Sequence, residues 1–199
     1  MSIRSLLLAA CAVVLTTSLT AAEPDAAALA TARARAELAI SEMQRQLKLE
    51  LQTALQQGGG VSAIRICRER APAIAAELNQ KLGVSIRRTS ERWRNPVNAP
   101  DTFESGVLKQ FAAAAAAAPD INQLRFEEVL NGSGAPRLHV MQAIALQGPC
   151  VMCHGTELSD EIRDSLRLLY PSDHATGFSP GELRGAFSVS VPLEPAPAR

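Results

Sequence analysis

Residues 124–154, LRFEEVLNGSGAPRLHVMQAIALQGPCVMCH, contain the pattern that decides the fold predicted for this chain. Two β-favouring runs, residues 124–130 and 137–145, flank the Asn-Gly-Ser-Gly stretch at 131–134. Glycine, asparagine and serine between two such runs are typical of a hairpin turn, so we expect two antiparallel strands. The Gly-Pro pair at 148–149 ends the second strand, and two cysteines follow at once.

The flanking sequence predicts further strands and helices. Residues 84–89 and 185–193 have the composition of strands, while residues 102–118 and 159–169 have helical composition and spacing. Asp101 or Thr102 is placed to cap the first of these helices. Together these elements predict an α+β fold, an antiparallel sheet with flanking helices.

The N-terminal half of the chain is predicted to be helical. Residues 23–57 form a long amphipathic helix that Gly58–Gly60 stops, and a second helix covers residues 62–82, with Pro72 as a site for a kink. The first helix carries apolar residues at helical spacing, which are Ile40, Met43, Leu47, Leu51 and Leu55. This stripe is interpreted as a packing face, with a dimer contact as the alternative.

The first residues have the features of a secretory signal peptide. Arg4 precedes an apolar run at residues 6–15, and Thr20-Ala21-Ala22 offers small residues for cleavage. We therefore expect export, for example to a periplasm. The predicted organisation is a cleaved signal peptide at 1–22, a long N-terminal helix at 23–60, a folded domain at 61–193 and a flexible tail at 194–199.

Composition limits the classes of function. Hydrophobic residues make up 47% and charged residues 20%, as in ordinary globular domains. The 20 Lys+Arg balance the 20 Asp+Glu, and no basic stripe indicates nucleic-acid binding. No segment after residue 22 is apolar enough to predict a membrane span in the mature chain.

The sequence Cys150-Val151-Met152-Cys153-His154 is the strongest chemical signal. Two thiols three residues apart can each form a thioether to one haem vinyl group, and the next residue then offers an imidazole to the iron. The alternatives are a thioredoxin-type redox disulfide, a zinc site and a structural disulfide. The first needs a βαβ unit and the second needs another ligand pair, and the sequence indicates neither. The motif therefore predicts one covalently attached haem c.

A second axial ligand has several candidates. They are Cys67, His139, His174, Met43, Met141 and Met152. Met152 lies inside the attachment loop and cannot easily reach the opposite face of a haem. Cys67 is the odd cysteine once Cys11 is removed with the signal peptide, and it is equally well explained as a buried residue on the apolar face of the second helix.

The chain resembles a family of single-haem c-type proteins with a PAS-like domain, long described only as a domain of unknown function. The resemblance is carried by residues 63–67 with 71–72, 88–90, 94–101, 148–155, and 170–173 with Ala175, Gly177 and Gly185. It implies a PAS-like fold in which His154 is the proximal ligand and Cys67 the sixth ligand. Phe103 and Arg87 depart from the family pattern, since Trp and Gly are usual there.

The sequence predicts a redox protein rather than an enzyme, because no nucleophile–base pair stands beside the motif. Haem carboxylates need cationic partners, and Arg88, Arg92 and Arg94 are the candidates. Thiolate ligation would favour a low reduction potential. The expected function is electron transfer with a partner protein. The alternative is a redox or gas sensor that binds a small gas such as CO or NO and signals through a partner, and a purely structural module remains a third class.

Overall fold

The computed structural model describes residues 25–131 and 134–193. The predicted signal peptide, the predicted C-terminal tail and the centre of the predicted hairpin turn lie outside these residues. In the part of the chain that the structure describes, no helix is long and apolar enough to cross a membrane.

A helical hairpin forms the N-terminal half of the fold. Helix α1, Ala26–Leu82, is interrupted at Gly58 and at Gly59, whose φ of 64° favours glycine. The two arms run antiparallel, as the 2.8 Å ion pair between Arg70 and Glu50 shows. The break predicted at the glycines is present, whereas the helix continues through Pro72 with helical backbone angles.

Four antiparallel strands form one sheet in the order β1-β4-β3-β2. The strands are β1 Ser85–Thr89, β2 Arg125–Leu130, β3 Arg137–Ala145 and β4 Leu183–Pro192. All four lie where the sequence predicts a strand, and the hairpin of β2 and β3 has the predicted pairing, with Leu130 opposite Arg137. The predicted α+β class with a long N-terminal helix is confirmed.

Three shorter helices complete the described fold: α2 Thr102–Ala115, α3 Val151–His154 and α4 Asp160–Leu169. Asp101 caps α2, and its carboxylate and that of Glu104 form reciprocal bonds to backbone N–H groups. Helix α2 ends three residues before the predicted end at Ala118. Ser159 caps α4, which therefore begins one residue after the predicted start of the helix at 159.

The sheet has a hydrophobic layer on each face. One face packs against both arms of α1 through apolar residues that include Ile40, Ile74, Ile86, Val140 and Val189. The other face packs against α2 through a smaller cluster centred on Phe111 and Met141. Strand β4 lies between β1 and β3, and residues 185–189 are all buried, as expected for a central strand that is covered on both faces.

A buried carboxylate joins α2 to the sheet. The side chain of Glu104 is 2% exposed, and its Oε2 accepts bonds from Arg87 Nη1 at 2.9 Å and from Thr89 Oγ1 at 3.1 Å. Removing one partner of a buried pair leaves the other charge uncompensated. Because the Arg87 side chain is 34% exposed, water offsets part of that cost.

Glu104→Gln should therefore destabilise the fold by about 2–3 kcal/mol, less than the loss of a fully buried pair. Urea unfolding of the purified protein measures this difference. Glu128→Gln is the matched control, since Glu128 is exposed on the edge strand. Equal stability of the two variants would contradict the role given to Glu104.

His139 makes stability depend on pH. Its ring is half-buried on β3, with Nε2 2.9 Å from Ser188 Oγ and the ring centroid 4.9 Å from that of Phe103. Burial lowers its pKa below the ordinary 6.5, and nearby Glu104 and Asp101 offset part of this effect. The unfolded chain thus binds a proton at a higher pH than the folded chain does.

The free energy of unfolding should accordingly fall as the pH drops below 6.5, whereas above 6.5 the His139 contribution is fully present. His139→Gln should reduce the loss of stability between about pH 7 and pH 5. Urea unfolding at a series of pH values tests this prediction. An unchanged pH dependence in the variant would show that other groups cause it.

Candidate haem site

A cavity of about 660 Å³ lies between α1 and the face of the sheet that packs against it. This volume falls in the range of sites for small molecules and cofactors. Helix α1 contributes Leu47, Leu51, Leu55 and Cys67, the sheet contributes Arg88, Gln142 and Phe187, and the segment after β3 contributes Cys150, Cys153 and His154. The sequence-predicted haem motif and Cys67 therefore line the same space.

The path of the chain after β3 places the motif against the cavity. Gly148 has a φ of 54° and begins a single 3-10 turn that leads into α3. This tight turn brings Cys150, Cys153 and His154 together at the end of the sheet. Gly155 closes α3, and a Cβ there would lie 2.6 Å from the carbonyl oxygen of Val151, so a side chain cannot be accommodated without movement of the backbone.

The ring of His154 is oriented by a backbone carbonyl. Its Nδ1 lies 2.6 Å from the oxygen of Ala175. A carbonyl oxygen can only accept, so Nδ1 carries the hydrogen and Nε2 keeps its lone pair. Arg184 Nε lies 3.3 Å from the same Nδ1 and adds positive charge beside the ring.

The environment keeps His154 neutral. Burial, and then the charges of Arg184 and Arg94, hold the pKa of His154 well below its ordinary 6.5. A neutral imidazole with a free Nε2 is the form that binds a metal. The sequence identifies the imidazole, and the structure supplies the carbonyl that fixes its tautomer.

The three cysteines of the described chain are free thiols. Burial raises the pKa of Cys150, and it raises that of Cys153 to about 11, so both are protonated at neutral pH. Cys67 lies near enough to add to both shifts. Within residues 25–131 and 134–193, no group of three or more His, Cys, Asp or Glu side chains is arranged to hold a metal ion.

Cys67 and Met43 are the candidates for a second axial ligand that line the cavity. Cys67 lies on the second arm of α1 and is half-buried, whereas Met43 is 2% exposed within the core between α1 and the sheet. The other candidates lie elsewhere: His139 and Met141 on β3, Met152 at the surface of α3, and the exposed His174 against Trp93.

The three predicted arginines have different environments. Arg88 lines the cavity from β1. Arg94 also lines it but is buried and engaged, because Nε donates to Asp173 at 3.0 Å and Nη2 donates to the Cys153 carbonyl at 2.6 Å. Arg92 is not part of the lining.

Arg92 instead binds the segment that follows α4. Its Nη2 donates to the carbonyl of Thr176, and its guanidinium lies 3.7 Å from the centroid of the Phe178 ring. Glu182 is 3.6 Å from its Nη1. The structure thus brings Arg88 and Arg94 to the cavity and leaves Arg92 outside it.

Arg184 and Tyr170 also line the cavity, although sequence analysis does not single them out as site residues. Burial, and then the charges of Arg94 and Arg88, lower the pKa of Arg184 to about 9, so the guanidinium is still charged at neutral pH. Arg184 lies in β4, where nothing local distinguishes it from other strand arginines. Tyr170 belongs to a stretch that carries the family resemblance, and this resemblance could have marked it as a site residue.

The sequence matches the Tll0287-like family over residues 21–192. The chain belongs to the Tll0287-like family. This confirms the resemblance found in the sequence. No curated protein matches the chain.

A solved structure also resembles this Tll0287-like chain. It is the crystal structure of Tll0287, described as a cyanobacterial haem protein. The two share 23% identity with a TM-score of 0.61, and the match covers 82% of this chain and 96% of the cyanobacterial one. At this identity the comparison bears on the fold, and it agrees with the α+β arrangement described above.

The departure from the family pattern at Arg87 has a structural role in this Tll0287-like chain. Besides Glu104, its guanidinium binds the carbonyls of Val97 and Ala99, each at 2.8 Å. Arg87 therefore holds the loop after β1 to α2. Phe103, where the family usually has Trp, packs edge-on against Phe126 with centroids 5.7 Å apart and keeps an aromatic contact.

Arg94→Lys should destabilise this Tll0287-like fold by about 2–4 kcal/mol, because an ammonium cannot replace the guanidinium bonds to Asp173 and two carbonyls. Guanidinium chloride unfolding measures the effect. Arg163→Lys, on the exposed face of α4, is the matched control. A double-mutant cycle with Asp173→Asn should show coupling, and additive effects would contradict the buried pair.

Proposed function

We propose that this chain carries one covalently attached c-type haem, with Cys150 and Cys153 as attachment residues and His154 and Cys67 as axial ligands. We propose further that it is exported and takes part in electron transfer or in a redox response. The observation that supports this proposal best is that the CxxCH motif and Cys67 line one cavity of about 660 Å³.

The donor set fits such a group. Each thiol would add across one vinyl C=C bond, with the sulfur and the hydrogen on adjacent carbons, so that no electrons are exchanged with an external reagent. The neutral His154 offers Nε2 as a ligand, while Nδ1 donates to Ala175. The apolar side chains of Leu47, Leu51 and Leu55 would cover the hydrophobic faces of the macrocycle.

A haem held there supplies one-electron chemistry between its ferric and ferrous states. The residues of the chain tune that chemistry. Hydrogen bonding of His154 to Ala175 raises the basicity of the imidazole, and a Cys67 thiolate would donate further electron density. Both effects favour the ferric state and hence a low reduction potential.

A sensor is the second candidate function, and the position of Cys67 favours it. Cys67 is carried by the second arm of α1, beyond the break at Gly58 and Gly59, and this arm packs against the sheet. Loss of the bond to Cys67 on reduction would open a site for a small gas. If that loss also shifted the second arm of α1 along the sheet, the movement would offer a route to a partner protein.

Visible absorption and EPR spectra of the mature protein, produced with a haem-attachment system, test the proposed ligands. The wild type should show a low-spin ferric thiolate signature that Cys67→Ala abolishes. Intact mass should increase by one haem in both proteins, because Cys67 takes no part in attachment. Cys150→Ala with Cys153→Ala should remove the covalent haem.

Met43→Leu is the matched control, because Met43 is the other candidate ligand that lines the cavity. Its spectra should equal those of the wild type. A thiolate signature that survives Cys67→Ala, or is lost in Met43→Leu, would overturn the axial assignment. Carbon monoxide binding by the ferrous wild type would favour the sensor, and a six-coordinate ferrous form that ignores CO would favour the carrier.

A further inference from the structure

Arg184 is held beside the candidate proximal ligand by its neighbours. Its Nη1 donates to Ser90 Oγ at 2.9 Å and to the carbonyl of Arg92 at 3.1 Å, which places its Nε 3.3 Å from His154 Nδ1. Ser90 Oγ in turn donates to the Arg184 carbonyl at 2.8 Å. These bonds fix the guanidinium rather than leaving it free to turn toward solvent.

Arg184 has no directly paired acid among the described residues, and the nearby Asp173 is already paired with Arg94. Among the described residues, no carboxylate lies within 4.0 Å of Arg184, whereas Arg94 pairs with Asp173 at 3.0 Å. The guanidinium also lies over the Phe178 ring, 5.2 Å from its centroid, on the side of a largely apolar cluster. A fixed, unpaired cation in such surroundings has a stronger field than one at the surface.

We propose that the positive charge of Arg184 raises the reduction potential of a haem bound by His154, in opposition to the electron donation from Cys67. This inference rests on the proposed function. Reduction adds one electron to the haem, so a nearby positive charge stabilises the ferrous state relative to the ferric state. At an effective dielectric constant of about 20, the interaction energy of two unit charges ~8 Å apart is large enough to change an equilibrium constant more than tenfold.

Arg184 is thus a tuning residue that acts through its charge beside a ligand. The neighbouring Arg92 differs from Arg184 in its position relative to the cavity and in having an acidic partner. It is outside the cavity, and Glu182 lies 3.6 Å from its guanidinium and offsets its charge. The two arginines therefore form a matched pair for an experiment.

Potentiometric titration of the mature, haem-loaded protein tests the proposal. Arg184→Gln should increase the ferric-to-ferrous ratio at a fixed potential about tenfold, which corresponds to a midpoint about 59 mV lower for a one-electron couple. Arg184→Lys, which keeps the charge, should lie nearer the wild type than Arg184→Gln. Arg92→Gln should shift the midpoint by less than a third of the Arg184→Gln shift.

The proposal would be overturned by a midpoint of Arg184→Gln equal to that of the wild type, or by an Arg184→Lys midpoint as low as that of Arg184→Gln. Ferric absorption and EPR spectra identical to the wild type would show that the axial ligands are retained in each variant. A changed spectrum in Arg184→Gln would count against the proposal, because the residue would then act on ligation rather than through its charge.

Ser90→Ala provides a second test that does not depend on how Arg184→Gln folds. The substitution removes the hydroxyl that accepts from Arg184 Nη1 at 2.9 Å, while residue 184 itself remains arginine. The midpoint should fall, by less than in Arg184→Gln, because the guanidinium is held less firmly beside His154. An unchanged midpoint would contradict the proposal. Intact mass is measured before the redox titration. If it shows no covalent haem in the wild type, the proposed function itself fails, and this failure is distinct from failure of the Arg184 proposal.

Discussion

The buried guanidinium of Arg94 joins the segments that form the candidate site. It pairs with Asp173 at 3.0 Å and binds the carbonyls of Cys153 at 2.6 Å and Ala175 at 3.2 Å. We call the bonds of Arg94 to Asp173 and to the two carbonyls the Arg94 clamp. The Ala175 oxygen also accepts the hydrogen bond from His154 Nδ1, so one carbonyl binds both the Arg94 clamp and the imidazole. The direction of the His154 lone pair therefore depends on an ion pair made by residues 79 positions apart in the chain. Within this arrangement the loop before α2, the haem motif and the segment after α4 have little freedom to move independently.

The second constraint is that the apolar stripe of α1 packs against the sheet over one part of its length and lines the cavity over another. Ile40 and Met43 complete a close-packed layer against the sheet, whereas Leu47, Leu51 and Leu55 continue the same stripe along the cavity. The space of about 660 Å³ that these leucines border has a largely apolar lining, which is typical of sites for small molecules and cofactors. Under the proposed function, the thiols and the neutral imidazole would hold a large, flat, mostly apolar group there. A group that binds the folded chain and not the unfolded chain would stabilise the fold.

Local signals explain what the sequence predicts well. The four strands follow from β-favouring runs bounded by turn residues, the start of α2 follows from its capping residue, and the motif at 150–154 is contiguous. The Arg94 clamp and the position of the Arg184 charge could not be predicted from the sequence because they depend on long-range contacts. Nothing near Arg92 or Arg94 in the sequence indicates that one packs on Phe178 while the other pairs with Asp173. Similarly, Arg184 meets His154 only because β4 pairs with β3, after which the motif begins.

The position of Cys67 decides how a change in its bonding would affect the rest of the molecule. Ile64 and Ala71, one turn away on either side, are 2% and 1% exposed, so the helix is held by packing on both sides of the thiol. If Cys67 is a haem ligand, as proposed, its place on such a rigid arm would disfavour a large displacement on reduction, which is the behaviour that an electron carrier needs. For a sensor, the sulfur could leave the iron only by rotation of its own side chain or by a shift of α1 along the sheet. The first movement is local, and only the second would transmit a signal. Under the proposed function, a carrier would keep α1 in place on reduction, whereas a sensor would need α1 to shift when Cys67 is released.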